Sequence, residues 1–350
     1  MPAGAPAGFL MAAAHTDSPT FKIKHNPEKK AGPYVQLSTE KYGGMLMGTW
    51  FDRPLSVAGR VVTAKDGKLE TKLVDVDRDL LVIPSVAIHM NRAANDGIKL
   101  MANVDTLPLY GMQEAAGSFR GVVAAAAGVK EDEILGEDLS LYVRTRGTVF
   151  GAKDEFVLAP RLDDLGCVFG LLEGFLAAEP SGSVPVFCAF DNEEVGSETK
   201  QGAASSLLSD TLRRIALALG LGEEAVHPNH PEYADMTNTP RMNGGVVIKF
   251  NANQRYTTDG VSCALFTAVC REAKAPVQVY ANRSDLPGGS TLGSIATTKV
   301  SVPSVDIGLA QLAMHSCVET AGAEDLGALV RAMTVYYGKT LRRAGETLTF

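Results

Sequence analysis

Val184-Pro185-Val186-Phe187-Cys188-Ala189-Phe190-Asp191-Asn192-Glu193-Glu194-Val195-Gly196-Ser197 is the stretch that decides the fold class of this chain. Its first seven residues are apolar and read as a buried strand, and the acidic run that follows marks the strand's carboxyl end. Neighbouring side chains on extended chain point in opposite directions, so Glu193 and Glu194 cannot do one job together. One could bind a metal while the other moves protons, the division of labour of a metallohydrolase. Taken alone, the pair has a plainer reading, a polar strand end at a surface turn.

Working outward, strand-like and helix-like segments alternate from residue 153 onward. Helical spacing of apolar residues predicts helices over 163–178, 203–219, 259–273, 290–298 and 325–343. Short apolar runs predict strands over 184–190, 245–251, 276–281 and 304–308. That alternation implies a three-layer α/β/α sandwich with a mostly parallel sheet. Residues 21–151 differ in character. Seven short strand candidates, at 35–39, 45–51, 59–63, 68–74, 79–83, 118–125 and 138–143, are separated by turn residues with little helical periodicity. Residues 8–14 read as one more strand of the α/β type. The expected layout is therefore a discontinuous α/β domain, 1–20 and 152–350, interrupted by a β-rich domain over 21–151.

The 350 residues are 45% hydrophobic and 21% charged, so a sizeable globular core is expected. A formal net charge of -7, and the lack of any basic run interleaved with aromatics, argue against a nucleic-acid surface. The five cysteines form no Cys-x-x-Cys pair, which suits buried thiols in a reducing cytoplasm. No apolar run approaches the roughly 20 residues that span a bilayer. The apolar stretch 8–14 lacks a basic flank and runs straight into His15, so it reads as a strand and not as a signal peptide.

His15-Thr16-Asp17 ends the first strand. Residues i and i+2 share a face of extended chain, so Asp17 could accept the second ring N–H of His15 and fix its tautomer for metal binding. Asp163-Asp164 opens a helix, where a capping carboxylate is ordinary but a metal-bridging one would also be well placed. Met314-His315-Ser316 follows a strand candidate on the same side of the predicted sheet. Histidine and carboxylates without cysteine suit zinc, cobalt or manganese. Gly288-Gly289-Ser290-Thr291 lacks the spacing of a nucleotide-binding loop, and no Gly-x-Ser-x-Gly elbow supports a serine hydrolase.

Together, His15-Thr16-Asp17-Ser18-Pro19, Pro160-Arg161-Leu162-Asp163-Asp164-Leu165, Asp191 to Ser197, Asn251-Ala252-Asn253-Gln254-Arg255-Tyr256 and Gln311-Leu312-Ala313-Met314-His315-Ser316 resemble the aspartyl aminopeptidase family of co-catalytic zinc metallopeptidases. Tyr42-Gly43-Gly44, Trp50-Phe51-Asp52-Arg53-Pro54-Leu55 and Ile88-His89-Met90-Asn91-Arg92 extend the resemblance into the inserted module. The resemblance implies two divalent metal ions, most simply zinc. It makes His15 and His315 ligands of one metal each, Asp163 the bridge, Glu194 a terminal ligand and Glu193 the general base, with Asp17 orienting His15. It implies that the insert is a dimerisation domain, that His89 acts across the dimer interface, and that dimers assemble into tetrahedral dodecamers. It implies substrates with an acidic N-terminal residue, whose carboxylate Lys249 would face with Tyr256 nearby. On the residues alone, Lys249 is equally a lysine snorkelling at a strand end.

The chain departs from the family pattern in one place that matters. An aspartate that is a terminal ligand of the second metal should precede the motif His227-Pro228-Asn229, but Leu221 falls at that position. Asp235 lies after the motif and does not match by position. The pattern predicts a missing segment between Ala225 and Val226, and the family's helical lead-in is likewise not seen before the first strand. The expected activity is removal of N-terminal Asp or Glu from peptides. Neutral or broad specificity, or a catalytically silent assembly or cargo-binding homologue, are the alternatives.

Overall fold

The structure, a computed structural model, describes residues 6–65, 67–97, 99–179, 181–219, 238–251, 255–281, 291–344 and 347–350. Leu221, the junction of Ala225 with Val226, and Asp235 lie outside the described residues. Along the chain the strands are β1 Phe9–His15, β2 Thr20–Ala31, β3 Tyr34–Tyr42, β4 Leu55–Lys65, β5 Lys68–Asp75, β6 Leu109–Met112, β7 Ile134–Val143, β8 Thr148–Phe150, β9 Phe156–Ala159, β10 Val184–Phe190, β11 Val246–Phe250, β12 Val277–Ala281, β13 Ile307–Gly308, β14 Gln311–Leu312, β15 Glu319–Gly322, β16 Arg342–Ala344 and β17 Thr347–Thr349. The helices are α1 Phe119–Ala127, α2 Leu162–Ala177, α3 Leu207–Leu219, α4 Gly260–Glu272, α5 Leu292–Thr297 and α6 Asp325–Tyr337. The chain divides into two units, one of 1–18, 148–314 and 319–350, the other of 19–147 and 315–318. The sequence pattern puts these boundaries a few residues later and does not single out 315–318.

The first unit has an α/β fold. β1 pairs with β10 in parallel, from Phe9 opposite Val184 to His15 opposite Phe190. β11 and β12 also pair in parallel, with β13 antiparallel on the other edge of β11. β14, β15, β9 and β8 form an antiparallel sheet. The core gathers Ala14, Leu171, Val246, Ile248, Phe266, Leu329, Ala332 and Met333, so α2, α4 and α6 bury their apolar faces against the strands. The strand predicted over 304–308 shrinks to Ile307–Gly308, and the closing helix stops at Tyr337 instead of 343, with Gly338 as its cap.

The second unit carries a six-stranded sheet in the order β5-β4-β7-β2-β3-β6. Phe21, Leu37, Leu55, Val57, Val61 and Leu141 are fully or almost fully buried on it. Two strand predictions fail here. Residues 118–125 cover the N-cap and first turns of α1, at whose start the amides of Gly117 and Phe119 donate to the Glu28 carboxylate, a partner far away in sequence. Residues 45–51 hold a single 3-10 turn, Met47–Trp50, with Trp50 buried edge-on to Phe21 at 5.4 Å. The strand predicted over 79–83 amounts to isolated bridges at Leu81, Val82 and Ile83.

Helices α2 and α6 approach closely because α2 carries glycine where they cross. A Cβ at Gly174 would stand 2.5 Å from Met333 Cβ and 3.0 Å from backbone atoms of Met333 and Thr334. At Gly166 it would meet nothing nearer than Leu309 Cδ1 at 3.7 Å. Gly174→Ala is therefore expected to lower stability by about 1–3 kcal/mol through overpacking, while Gly166→Ala is neutral or slightly stabilising. Urea unfolding midpoints of the two variants check this, and equal midpoints would contradict the packing.

Candidate active site

The site in the first unit is built where β1 and β10 end side by side. Asn192, at φ 62°, turns the chain out of β10, and Glu193–Val195 form one 3-10 turn. The two glutamates thus do not alternate across a strand as the sequence predicts. Successive side chains of a 3-10 turn are about 120° apart, which separates them by another geometry.

Asp17 holds that turn. Its Oδ1 and Oδ2 accept the backbone N–H groups of Glu193 and Glu194, each at 3.1 Å. Its Oδ1 is also 3.3 Å from His15 Nδ1, and its backbone carbonyl is 3.1 Å from the same nitrogen. With Nδ1 turned to Asp17, His15 Nε2 faces Asp163 Oδ1 at 3.4 Å and Glu193 Oε2 at 3.9 Å.

Asp163 arrives from β9 through a tight corner. Arg161 has φ 60°, Asp163 and Asp164 have non-helical backbone angles, and the peptide between them is cis, so the regular turns of α2 begin after them. The Asp163 N–H donates to Glu319 Oε2 at 2.8 Å, and its carbonyl accepts the Ser18 hydroxyl at 3.0 Å. Asp164 Oδ2 accepts the backbone N–H of His15 at 3.2 Å. Asp164, read from sequence as an ordinary capping residue, is thus part of the cluster.

His15, Asp163 and Glu194 each offer one ligand atom, all within 4.8 Å of one another. Glu194 Oε1 is shut off from solvent. One imidazole nitrogen and two carboxylates, without sulfur, suit a borderline divalent cation such as zinc. The 3.4 Å between His15 Nε2 and Asp163 Oδ1 is close to the edge of a tetrahedron with arms of about 2.1 Å. These residues fit a metal ion.

The electrostatics point the same way. Burial pulls the His15 pKa down, but hydrogen bonds with Asp163 and Asp17 and the nearby charges of Asp164 and Asp163 overcome it and push it up to about 12. The metal-free cluster is negative enough to keep a proton where a cation would sit. Burial likewise raises Glu193 to about 7, against the opposing pull of the charge on His15. Asp164 is raised by burial, with Asp163 adding to the shift, and burial together with Asp164 lifts the thiol of Cys167.

Lys249 lies on β11, half-buried, with Nζ 5.5 Å from the ring centroid of the fully buried Tyr256. Its charge is near enough to pull the Cys167 thiol down, against the larger effects of burial and Asp164. His89 and His315 belong to the second unit. His89 is exposed in a turn after Ala87, whose carbonyl accepts the Met90 N–H at 2.8 Å. His315 has φ 64°, and its carbonyl accepts the Leu46 N–H at 3.0 Å. Glu319 is absent from the sequence reading. The one signal that could have found it is a charged residue within the strand-like Cys317-Val318-Glu319-Thr320-Ala321.

The chain matches the family described as aminopeptidase I zinc metalloprotease (M18) over residues 3–226 and 222–337. It is 45% identical over 343 residues to a probable M18 family aminopeptidase 2 of Clostridium novyi, covering 91% of this chain and 79% of that protein. A protein of the same description from Pseudomonas paraeruginosa is 39% identical over 354 residues, covering 95% and 82%. Among solved structures, the chain is similar to that of the Ape4 and Nbr1 complex, with TM-score 0.88, 33% identity, and coverage of 96% of this chain and 72% of that one. It is also similar to the S. cerevisiae mApe1 dodecamer, with TM-score 0.77, 25% identity, and coverage of 95% and 80%. The chain belongs to the M18 family and is a metallo-aminopeptidase.

If a cation replaces the His15 proton, metal binding must release it. Metal affinity is expected to rise about tenfold per pH unit between roughly pH 6 and 8, with about one proton released from His15 per ion. The sign follows from a raised pKa: below about 12 the metal-free histidine is protonated and competes with the ion. Titration calorimetry in buffers of different ionisation enthalpy measures this, and an affinity flat across that range would show that His15 holds no proton for the ion to displace.

Proposed function

We infer that this aminopeptidase removes N-terminal Asp or Glu from peptides, using two divalent metal ions, most simply zinc. The observation that carries the reading is the gathering of His15, Asp163 and Glu194 within 4.8 Å, with Glu193 facing the same imidazole nitrogen. His15, Asp163, Glu194 and His315 would hold the metals. The place of His315 rests on its sequence motif alone. When bound, the metals supply a lowered pKa for water and polarise the scissile carbonyl.

Glu193 then has the proton work. Burial raises its carboxylate pKa in the metal-free cluster, which favours a group that takes a proton from water and gives it to the leaving amine. Asp17 keeps Glu193 in reach by fixing its backbone N–H, and keeps His15 in one orientation. Lys249 supplies a cation for the substrate's acidic side chain, and the Tyr256 ring limits where its ammonium can go. The second unit serves self-association, with His89 reaching a partner copy. The dodecameric state named for the similar S. cerevisiae protein supports assembly of this kind.

Glu193→Gln should lose about 10²- to 10⁴-fold in turnover while metal content, read by atomic emission, stays at the wild-type level. Retained turnover would remove Glu193 as the base. Specificity is tested separately, with Asp- and Leu-anilides. Lys249→Ala should lower kcat/KM on the Asp substrate by about ten- to a hundredfold and leave the Leu substrate nearly unchanged. A wild-type preference for Leu-anilide would refute the acidic specificity without touching the metal site.

A further inference from the structure

Glu319 is 2% exposed, yet it is a carboxylate on a short strand, far from the solvated surface where such a group normally sits. Its strand pairs antiparallel with β9 so that Glu319 stands opposite Ala159, the last residue before the corner that delivers Asp163. From there its Oε2 accepts the Asp163 N–H at 2.8 Å. On the other side of the same residue, the Asp163 carbonyl accepts the Ser18 hydroxyl at 3.0 Å. The backbone of Asp163 is therefore gripped at both ends, outside the regular hydrogen bonding of α2.

That grip matters because Asp163 has no helix to hold it. Its backbone angles, φ -84° and ψ 109°, are not helical, and neither are those of Asp164. A side chain on such a corner is aimed by whatever fixes its main chain. We propose that Glu319 is a positioning residue for metal binding, whose carboxylate, by accepting the Asp163 N–H, aims the Asp163 side chain at the position shared with His15 and Glu194. The proposal rests on the reading of Asp163 as a metal ligand. Groups that orient ligands in this way commonly change metal affinity by about 10–100-fold when removed.

Reach and charge are separable at this position. Glu319→Gln keeps an acceptor oxygen at the same reach and loses the charge, whereas Glu319→Asp keeps the charge and withdraws the oxygen by one methylene. Zinc affinity of the full-length chain is measured by competition with a chromogenic chelator, with the thermal midpoint of the metal-free protein followed alongside. Glu319→Gln is expected to bind zinc within about threefold of wild type, and Glu319→Asp about 10–100-fold more weakly, with metal-free midpoints alike. The reverse order, with Glu319→Asp normal and Glu319→Gln weakened, would show that Glu319 acts by charge and overturn the proposal. Equal affinities for wild type and both variants would also overturn it. So would weakened binding that tracks a fall in the metal-free midpoint. Should wild-type protein and Asp163→Asn bind zinc equally, the metal-site reading itself fails, an outcome distinct from all of these.

Discussion

Negative charge gathered in a partly dry place is the constraint on which this structure turns. Asp17, Asp163, Asp164, Glu193 and Glu194 converge around the imidazole of His15. Like charges at such range repel strongly once water is excluded. The chain meets that cost with oriented donors: the amides of Glu193 and Glu194 on Asp17, and the amide of His15 on Asp164. What the donors leave over is taken by a proton on His15, or by a cation in its place. A buried carboxylate cluster of this kind is a poor way to stabilise a fold and a good way to bind a metal.

The donors are available because of how β1 and β10 pair. Their parallel register puts His15 beside Phe190, so the residues just beyond the two strands, Asp17 and Glu193-Glu194, come within hydrogen-bonding reach. A one-residue slip would turn Asp17 to the other side and leave both amides unanswered. The register in turn is held by the apolar residues behind it, with Ala14 packed in the core beside Leu171 and the α6 residues Leu329 and Met333. The close approach of α2 to α6 over Gly170 and Gly174 therefore bears on the site, since α2 begins at the corner that carries Asp163.

The sequence reading is uneven in a way that follows from what holds each element. Val184–Phe190 is found to the residue, because a strand bounded by Ser183 and by acid carries its own signals. The helix Phe119–Ala127 is misread as a strand. Its buried face is short, only Phe119, Val123 and Ala124, and its capping carboxylate, Glu28, is about 90 positions away in sequence. In the site, His15, Asp163, Glu193 and Glu194 stand out in the sequence by type and by their place after strands. Asp164 and Glu319 do not, because their functions are hydrogen bonds to main-chain amides of residues about 150 positions away. No local pattern records such a pairing.

The 3-10 turn at Glu193–Val195 replaces the strand alternation expected from the sequence and still separates the two glutamate side chains. Division of labour between the glutamates requires only that adjacent side chains diverge, and strand alternation and a 3-10 turn both provide that. The turn adds something a strand could not. With Asn192 in the left-handed region and the chain folded back, two successive amides face the same carboxylate of Asp17. In extended chain successive N–H groups point in opposite directions and could not share one acceptor. Glu193 and Glu194 are therefore fixed by one anchor, and that anchor also sets the face of His15 turned toward Asp163. Orientation at this centre is a property of the Asp17 carboxylate as much as of the side chains it orients.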